Sequence, residues 1–140
     1  PAGILGLGAT VVTNKRTIAA DVYFKGLFET ALEGGEIVTA VGFPVPKRAG
    51  YAKFEQRASR YALVGVFVAE TDTGWRVAVT GAGAKGVFRA TDIEKALASG
   101  SAPGSVRMAS AGLISDLHGS AEYRAALIPV MAERALAAAK

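Results

Sequence analysis

The sequence predicts an α+β protein, an antiparallel sheet carrying a layer of helices on one face. Runs rich in β-branched and aromatic residues occupy the first two thirds of the chain. Segments with helical spacing follow after Arg89, without the strand–helix alternation of a parallel sheet. The composition, 51% hydrophobic and 20% charged over 140 residues with 17 Gly and 5 Pro, is that of a globular chain able to bury a core. It excludes disorder and collagen.

Residues 9–13 read Ala-Thr-Val-Val-Thr and are followed after Asn14-Lys15-Arg16 by Thr17-Ile18-Ala19, which predicts a tight hairpin. Asp21 is expected to cap a helix over 22–32, with Tyr23, Leu27 and Phe28 at helical spacing and Glu33-Gly34-Gly35 ending it. Residues 36–43 read as a strand. Residues 44–50 carry two prolines and a glycine, residues that break both ladders and helices, so a linker is expected there. It divides the chain into units 1–47 and 48–140.

Three further strands are expected at 51–57, 61–70 and 75–82, with Thr71-Asp72-Thr73-Gly74 as a hairpin turn, making an antiparallel meander. Thr91-Asp92-Ile93-Glu94 has the form of a capping box and opens a helix with Ile93, Ala96 and Leu97 on one face. A second helix is expected over 106–114. Ser120 caps a third over 121–139, in which Pro129 either makes a kink or starts a new helix.

With no cysteine, the chain cannot build a disulfide, a thiolate nucleophile or an iron–sulfur cluster, and one histidine rules out multi-imidazole metal sites. The net charge of +4 is scattered, with Lys15-Arg16 and Lys47-Arg48 as the only adjacent basic pairs. That is not a nucleic-acid footprint. The longest charge-free stretch, 1–14, is shorter than the roughly 18 to 20 apolar residues needed to cross a bilayer. The amino terminus lacks an initiator Met and a charged lead-in, and reads as a chain that begins within a fold, hence a fragment.

Gly81-Ala82-Gly83-Ala84-Lys85-Gly86 matches G-x-G-x-x-G, but strand-like Val87-Phe88-Arg89 follows where a dinucleotide turn needs a helix. A plain glycine-rich strand end is the favoured reading. Asp116, His118 and Ser120 invite a triad, yet residues two apart before a helix usually cap it. The aromatics on the strands read as core in preference to a base-stacking surface. Lys53, a cation in Tyr51-Ala52-Lys53-Phe54 just past the linker, either faces solvent or points at an anionic ligand between the units. The residues alone leave both open.

Leu7-Gly8-Ala9-Thr10-Val11, the run from Ile18 to Phe24, Gly26-Leu27-Phe28-Glu29-Thr30-Ala31-Leu32 and the run from Gly35 to Val41 resemble the second half of the flavin-binding medium subunit of molybdenum hydroxylases. Tyr51-Ala52-Lys53-Phe54, the runs from Ser59 to Val66 and from Val77 to Ala84, and Asp116-Leu117-His118-Gly119-Ser120-Ala121-Glu122-Tyr123-Arg124 continue the resemblance, most closely to the aerobic carbon monoxide dehydrogenase branch. It implies the carboxy-terminal part of a flavin-binding domain over 1–47. An antiparallel sheet covered by a three-helix layer, the carboxy-terminal domain of such subunits, would follow over 48–140. The family's two glycine-rich loops for the FAD diphosphate would lie before Pro1.

The resemblance further implies that Lys53 reaches the FAD, that Val38 lines it and that Tyr61 stands beside its ring. No catalytic residue and no metal ligand is expected in this chain. Partners would be a large molybdenum-binding subunit and a small subunit with [2Fe-2S] clusters. FAD would relay their electrons to an external acceptor, in a heterohexamer. The expected location is the cytoplasm, with the inner face of the membrane as the alternative. Two other functions stand beside this one: a non-catalytic domain that docks other subunits, and a mildly basic nucleic-acid binder.

Overall fold

The computed structural model describes residues 1–140. A helical turn, α1 (Ala2–Gly6), leads into β1 (Thr10–Thr13) and β2 (Thr17–Ala19), which pair antiparallel with Val11 opposite Ile18, the expected hairpin. Thr13 organises its turn. The Thr13 hydroxyl donates to Glu36 Oε1 at 2.7 Å and accepts the N–H groups of Lys15 and Arg16. Val11, Ile18 and Tyr23 form a small core under this sheet.

The helix expected over 22–32 does not form. A single turn, α2 (Ala20–Tyr23), gives way to β3 (Phe24–Gly26) and β4 (Glu29–Thr30), an antiparallel hairpin turned at Leu27-Phe28. Helical spacing would have put Tyr23, Leu27 and Phe28 on one buried face; instead Tyr23 is buried while Leu27 and Phe28 are exposed. Backbone and side-chain bonds to the strands win: Ala31 N–H donates to the Tyr23 carbonyl, and Arg16 Nη2 donates to the Ala31 carbonyl at 2.7 Å. Asp21 caps nothing, because its carboxylate is taken by Arg76 at 2.9 and 3.0 Å. β5 (Val38–Gly42) then joins the free side of β1, giving the order β2-β1-β5.

Residues 43–47 carry no regular structure and lead to a second sheet of β6 (Arg48–Glu55), β7 (Ala62–Thr71), β8 (Gly74–Thr80) and β9 (Phe88–Arg89). Its strands are antiparallel and sequential, the expected meander with one short strand added. Gly74 closes the β7–β8 turn at φ 120, where Thr71 Oγ1 donates to its carbonyl.

Alternation along these strands decides what each face meets. Val64, Val66 and Val68 of β7 and Val77 and Val79 of β8 are fully buried against α3 (Thr91–Ala98) and α4 (Ala121–Ala137), through Ile93, Leu97, Ile128, Met131, Ala132 and Ala135. Each such valine is worth about 1.5 to 3 kcal/mol against exposure. β6 runs close beneath α4: a Cβ on Gly50 would stand 2.1 Å from the Ala135 carbonyl oxygen.

The helical layer differs from expectation in two places. Residues 106–114 are not helical, and the third helical piece is a 3-10 turn at Pro103–Ser105. Residues 110–114 instead run along the glycine segment, with Ile114 N–H donating to Ala82 and Ala84 N–H to Gly112, which adopts φ 80. The capping box is also absent. Ala90 is the N-cap of α3, and the Glu94 carboxylate accepts from Val77 N–H at 2.8 Å and from Arg89 at 2.6 and 2.9 Å. Ser120 does cap α4, accepting from Tyr123 N–H, and the helix continues through Pro129 to Ala137.

The other face of the second sheet meets α1. Arg76 Nη2 donates to the Leu5 carbonyl at 2.8 Å and Arg76 Nε to the Gly6 carbonyl at 3.2 Å, so a strand side chain satisfies the orphan end of α1. Arg89 reaches the same Asp21 at 3.4 Å. The two sheets are thus stitched along this seam.

Candidate cofactor cleft

Beyond Arg76 the seam opens into a cleft of about 1050 Å³. One side is α1 and the β3–β4 hairpin, through Ala2, Gly3, Gly26, Leu27 and Phe28; the other is the second sheet. Strand register builds the floor. Tyr51 stands opposite Phe67, Lys53 opposite Gly65, and Gly65 opposite Thr80. Directly opposed residues share a face, so Tyr51, Lys53, Phe67 and Thr80 converge there. Gly65 makes this possible: a Cβ at that position would lie 2.4 Å from the Tyr51 hydroxyl and 2.8 Å from Thr80 Oγ1.

Lys53 Nζ donates to the Arg60 carbonyl at 2.7 Å and lies 3.4 Å from Glu55 Oε2. Its ammonium is therefore anchored at the β6–β7 loop, whose Ser59, Arg60 and Tyr61 form one lip of the cleft. Arg60 adopts φ 59 and Phe28, at the hairpin tip on the other side, φ 62. These are the chain's only non-glycine residues in the left-handed region, a conformation that costs free energy and recurs at ligand sites. Tyr61 is 79% exposed and Phe28 fully exposed. Lys53 and Arg60 set two cations against Glu29 in an otherwise largely apolar space.

Of the residues expected from the sequence, Lys53 and Tyr61 come together at this cleft. Val38 does not line it: it sits on β5 in the first sheet, opposite Thr13 and 40% exposed. Gly81, Gly83 and Gly86 do line it, although no helix follows them and β9 begins at Phe88. Sequence reasoning passed over Tyr51 and Thr80. A signal for Tyr51 was available, since residues two apart on a strand share a face and Lys53 was already in view.

Asp116, His118 and Ser120 form no triad. Ser120 caps α4, the His118 side chain is exposed, and Asp116 accepts from the His118 backbone N–H at 2.9 Å and from Arg124. That N–H first, and Arg124 after it, hold the Asp116 carboxyl below its ordinary range. No nucleophile stands beside a base in the cleft. The arrangement suits the holding of a planar, partly anionic ligand: an aromatic floor, a fixed cation, the floor hydroxyls of Tyr51 and Thr80, and a glycine wall that lets a ring approach the backbone.

The class of protein follows from the fold and from the relatives that the chain matches. The crystal structure of quinoline 2-oxidoreductase from Pseudomonas putida 86 contains a chain with this fold, at a TM-score of 0.77 and 25% identity, covering 96% of this chain and 53% of that one. The nicotine 6-hydroxylase medium subunit of Paenarthrobacter nicotinovorans is 37% identical over 139 residues, and the carbon monoxide dehydrogenase medium chain of Afipia carboxidovorans is 33% identical over the same length. The chain is a homologue of these hydroxylase and dehydrogenase medium subunits over 89% of its length, as the resemblance in its sequence implied, and spans 48% of each of them. No protein-family model matches it. No helix is long and apolar enough to cross a membrane.

Proposed function

We propose that the chain is the part of a molybdenum hydroxylase medium subunit that closes over the ring system of FAD, relaying electrons from iron–sulfur clusters to an external acceptor. One observation carries the reading: a chain related to such subunits has a cleft, between the β3–β4 hairpin with α1 and the four-stranded sheet, with an aromatic floor and an anchored lysine. The bound flavin would supply the exchange of two electrons for one at a time. This chain's residues bind and orient it. Lys53 places positive charge at one end of the cleft, Tyr51 and Phe67 offer aromatic surface, and Tyr61 covers the mouth. Val38 belongs to this proposal through the resemblance alone, as a contact for a part of the cofactor extending past the cleft along β5.

Residues 1–47 and 48–140 are proposed as two domains that meet at the cleft. Large molybdenum-binding and small [2Fe-2S] subunits are the proposed partners, in the cytoplasm, and the carbon monoxide dehydrogenase branch is the proposed affiliation, the substrate being set in the large subunit. The test is Lys53→Met in the intact subunit, read as flavin per polypeptide and as flavin potential. A nearby cation favours the electron-rich ring, so the variant is expected to hold less FAD or to hold it at a lower potential. Unchanged content and potential would refute the assignment. A second reading, a docking domain, draws support from Val45 and Leu117, 91% and 90% exposed. Co-purification with the large subunit, together with flavin content indifferent to Lys53→Met, would favour it.

A further inference from the structure

Arg124, in the first turns of α4, is a buried charged residue, 3% exposed. Its guanidinium holds three separate segments. Nη1 donates to the Leu63 carbonyl at 2.7 Å and to the Gly81 carbonyl at 3.1 Å, and Nη2 donates to both Asp116 oxygens at 2.8 and 2.9 Å. Nε is enclosed without a partner. Each segment carries a residue of the cleft wall: Ala62 beside Leu63, Gly81 itself, and Ile114 two residues before Asp116.

The need for a cation at this point is geometric. Gly81 turns at φ 80 where β8 leaves the sheet, so close to β7 that a Cβ on it would stand 2.2 Å from the Ala62 carbonyl oxygen and 2.9 Å from that of Leu63. The Leu63 carbonyl of β7 and the Gly81 carbonyl at the end of β8 thus converge on a single donor, Arg124 Nη1. Stability alone does not account for Arg124, because a buried ion pair is commonly matched or bettered by apolar residues of the same size.

We propose that Arg124 is a positioning residue of the cleft: through the Leu63 and Gly81 carbonyls it sets where the glycine wall from Gly81 to Gly86 stands, and so the width available to a ligand. Asp116 is its counter-charge. The consequence for the ligand rests on the cofactor reading above, whereas the placement of the wall does not.

Amide hydrogen exchange on the full chain tests the placement directly, comparing wild type with the Arg124→Met/Asp116→Leu double variant, in which both charges are gone. Exchange at residues 81–87 and 112–114 is expected to rise about tenfold or more, while amides of Val66 and Val77 change only as far as the lower melting temperature requires, since the Leu63 and Gly81 carbonyls lose their donor. Arg124→Lys, able to reach fewer of the acceptors, is expected to restore part of the protection. Equal loosening of core and wall would reduce Arg124 to a general stabiliser, and an unmoved wall in a folded variant would overturn the proposal. Asp116→Asn, which keeps Arg124 and its carbonyl bonds, reads the same exchange at smaller amplitude if the double variant does not fold. Titration of FAD into the intact subunit is the second arm: about tenfold weaker binding is expected in the double variant. Failure of the wild-type subunit to bind FAD would sink the cofactor reading and leave the exchange result to decide on Arg124.

Discussion

Gly65 and Gly81 lie about one strand apart and are glycines for different reasons. An added Cβ at Gly65 meets the far ends of Tyr51 and Thr80, atoms that can swing away. Gly65→Ala is therefore expected to change urea stability by less than about 1 kcal/mol. It should nonetheless rebuild the cleft floor and weaken FAD binding by the intact subunit about tenfold, or 1.4 kcal/mol. At Gly81 the Cβ meets backbone oxygens and the residue must stay at φ 80. Gly81→Ala is expected to cost at least about 2 kcal/mol in urea denaturation, of which the left-handed conformation supplies about 1 to 2. Single residues of the site were legible unevenly. Lys53 stood out as a cation in an apolar strand beside a linker. Tyr51 and Thr80 did not, because what joins them is the register of β6, β7 and β8, and a strand read alone carries no trace of its partners' register.

Elements show which local signals survive tertiary competition. The Thr91-Asp92-Ile93-Glu94 pattern promised a capping box, but Val77 N–H and Arg89 claim the Glu94 carboxylate. Thr91→Ala is accordingly expected to shift stability by less than about 0.5 kcal/mol, whereas Glu94→Ala, which orphans a buried N–H, should cost about 1 to 3 kcal/mol. A thermal melt of each distinguishes them. The meander and the Ser120 cap were readable because alternation, turn residues and caps act within a few residues. The helix over 22–32 was misread for the opposite reason: its face was assigned without knowing that Arg16 and Tyr23 would capture Ala31.

The first sheet also carries an acid-sensitive knot. Arg16 Nε at 3.0 Å, Thr13 and the Glu33 N–H all donate to Glu36, whose side chain is closed off from solvent. Arg16 first, then Thr13, hold its carboxyl well below its ordinary value, at about 2. A carboxyl depressed in the folded state stabilises at pH above its unfolded value and loses that contribution as pH falls through the folded one. The urea midpoint is expected to stay level from neutrality to about pH 5 and to fall between about pH 4.5 and 2, with Asp116 adding in the same direction. Glu36→Gln should lower the neutral plateau and flatten the acid limb. A pH series of urea curves checks both.

At the scale of the whole molecule, the candidate cleft lies where the β3–β4 hairpin and α1 face the four-stranded sheet. The linker expected over 44–50 could be read in part from its prolines: residues 43–47 do join one sheet to the other, but Arg48, Ala49 and Gly50 already belong to β6, where they pair with β7. The seam itself could not, since Arg76 and Asp21 are 55 positions apart and nothing local pairs them. Arg76→Met is expected to free the carbonyl end of α1 and Asp21 together, at about 2 kcal/mol, and to speed exchange at residues 2–9 ahead of the β7 core.

The bare connector over 43–47 has a practical corollary. Val45 is 91% exposed, and the segment's one backbone bond, from Lys47 to Glu70, lies at its far end. Cutting the peptide before Pro46 would give two pieces, each keeping its own sheet and its own buried cluster, with the cleft as the gap between them. Expressed separately and fused to the halves of a luminescent reporter, the pieces would meet through the Arg76–Asp21 seam, and a compound that bridges both walls would tighten their reunion, turning occupancy of the cleft into added light.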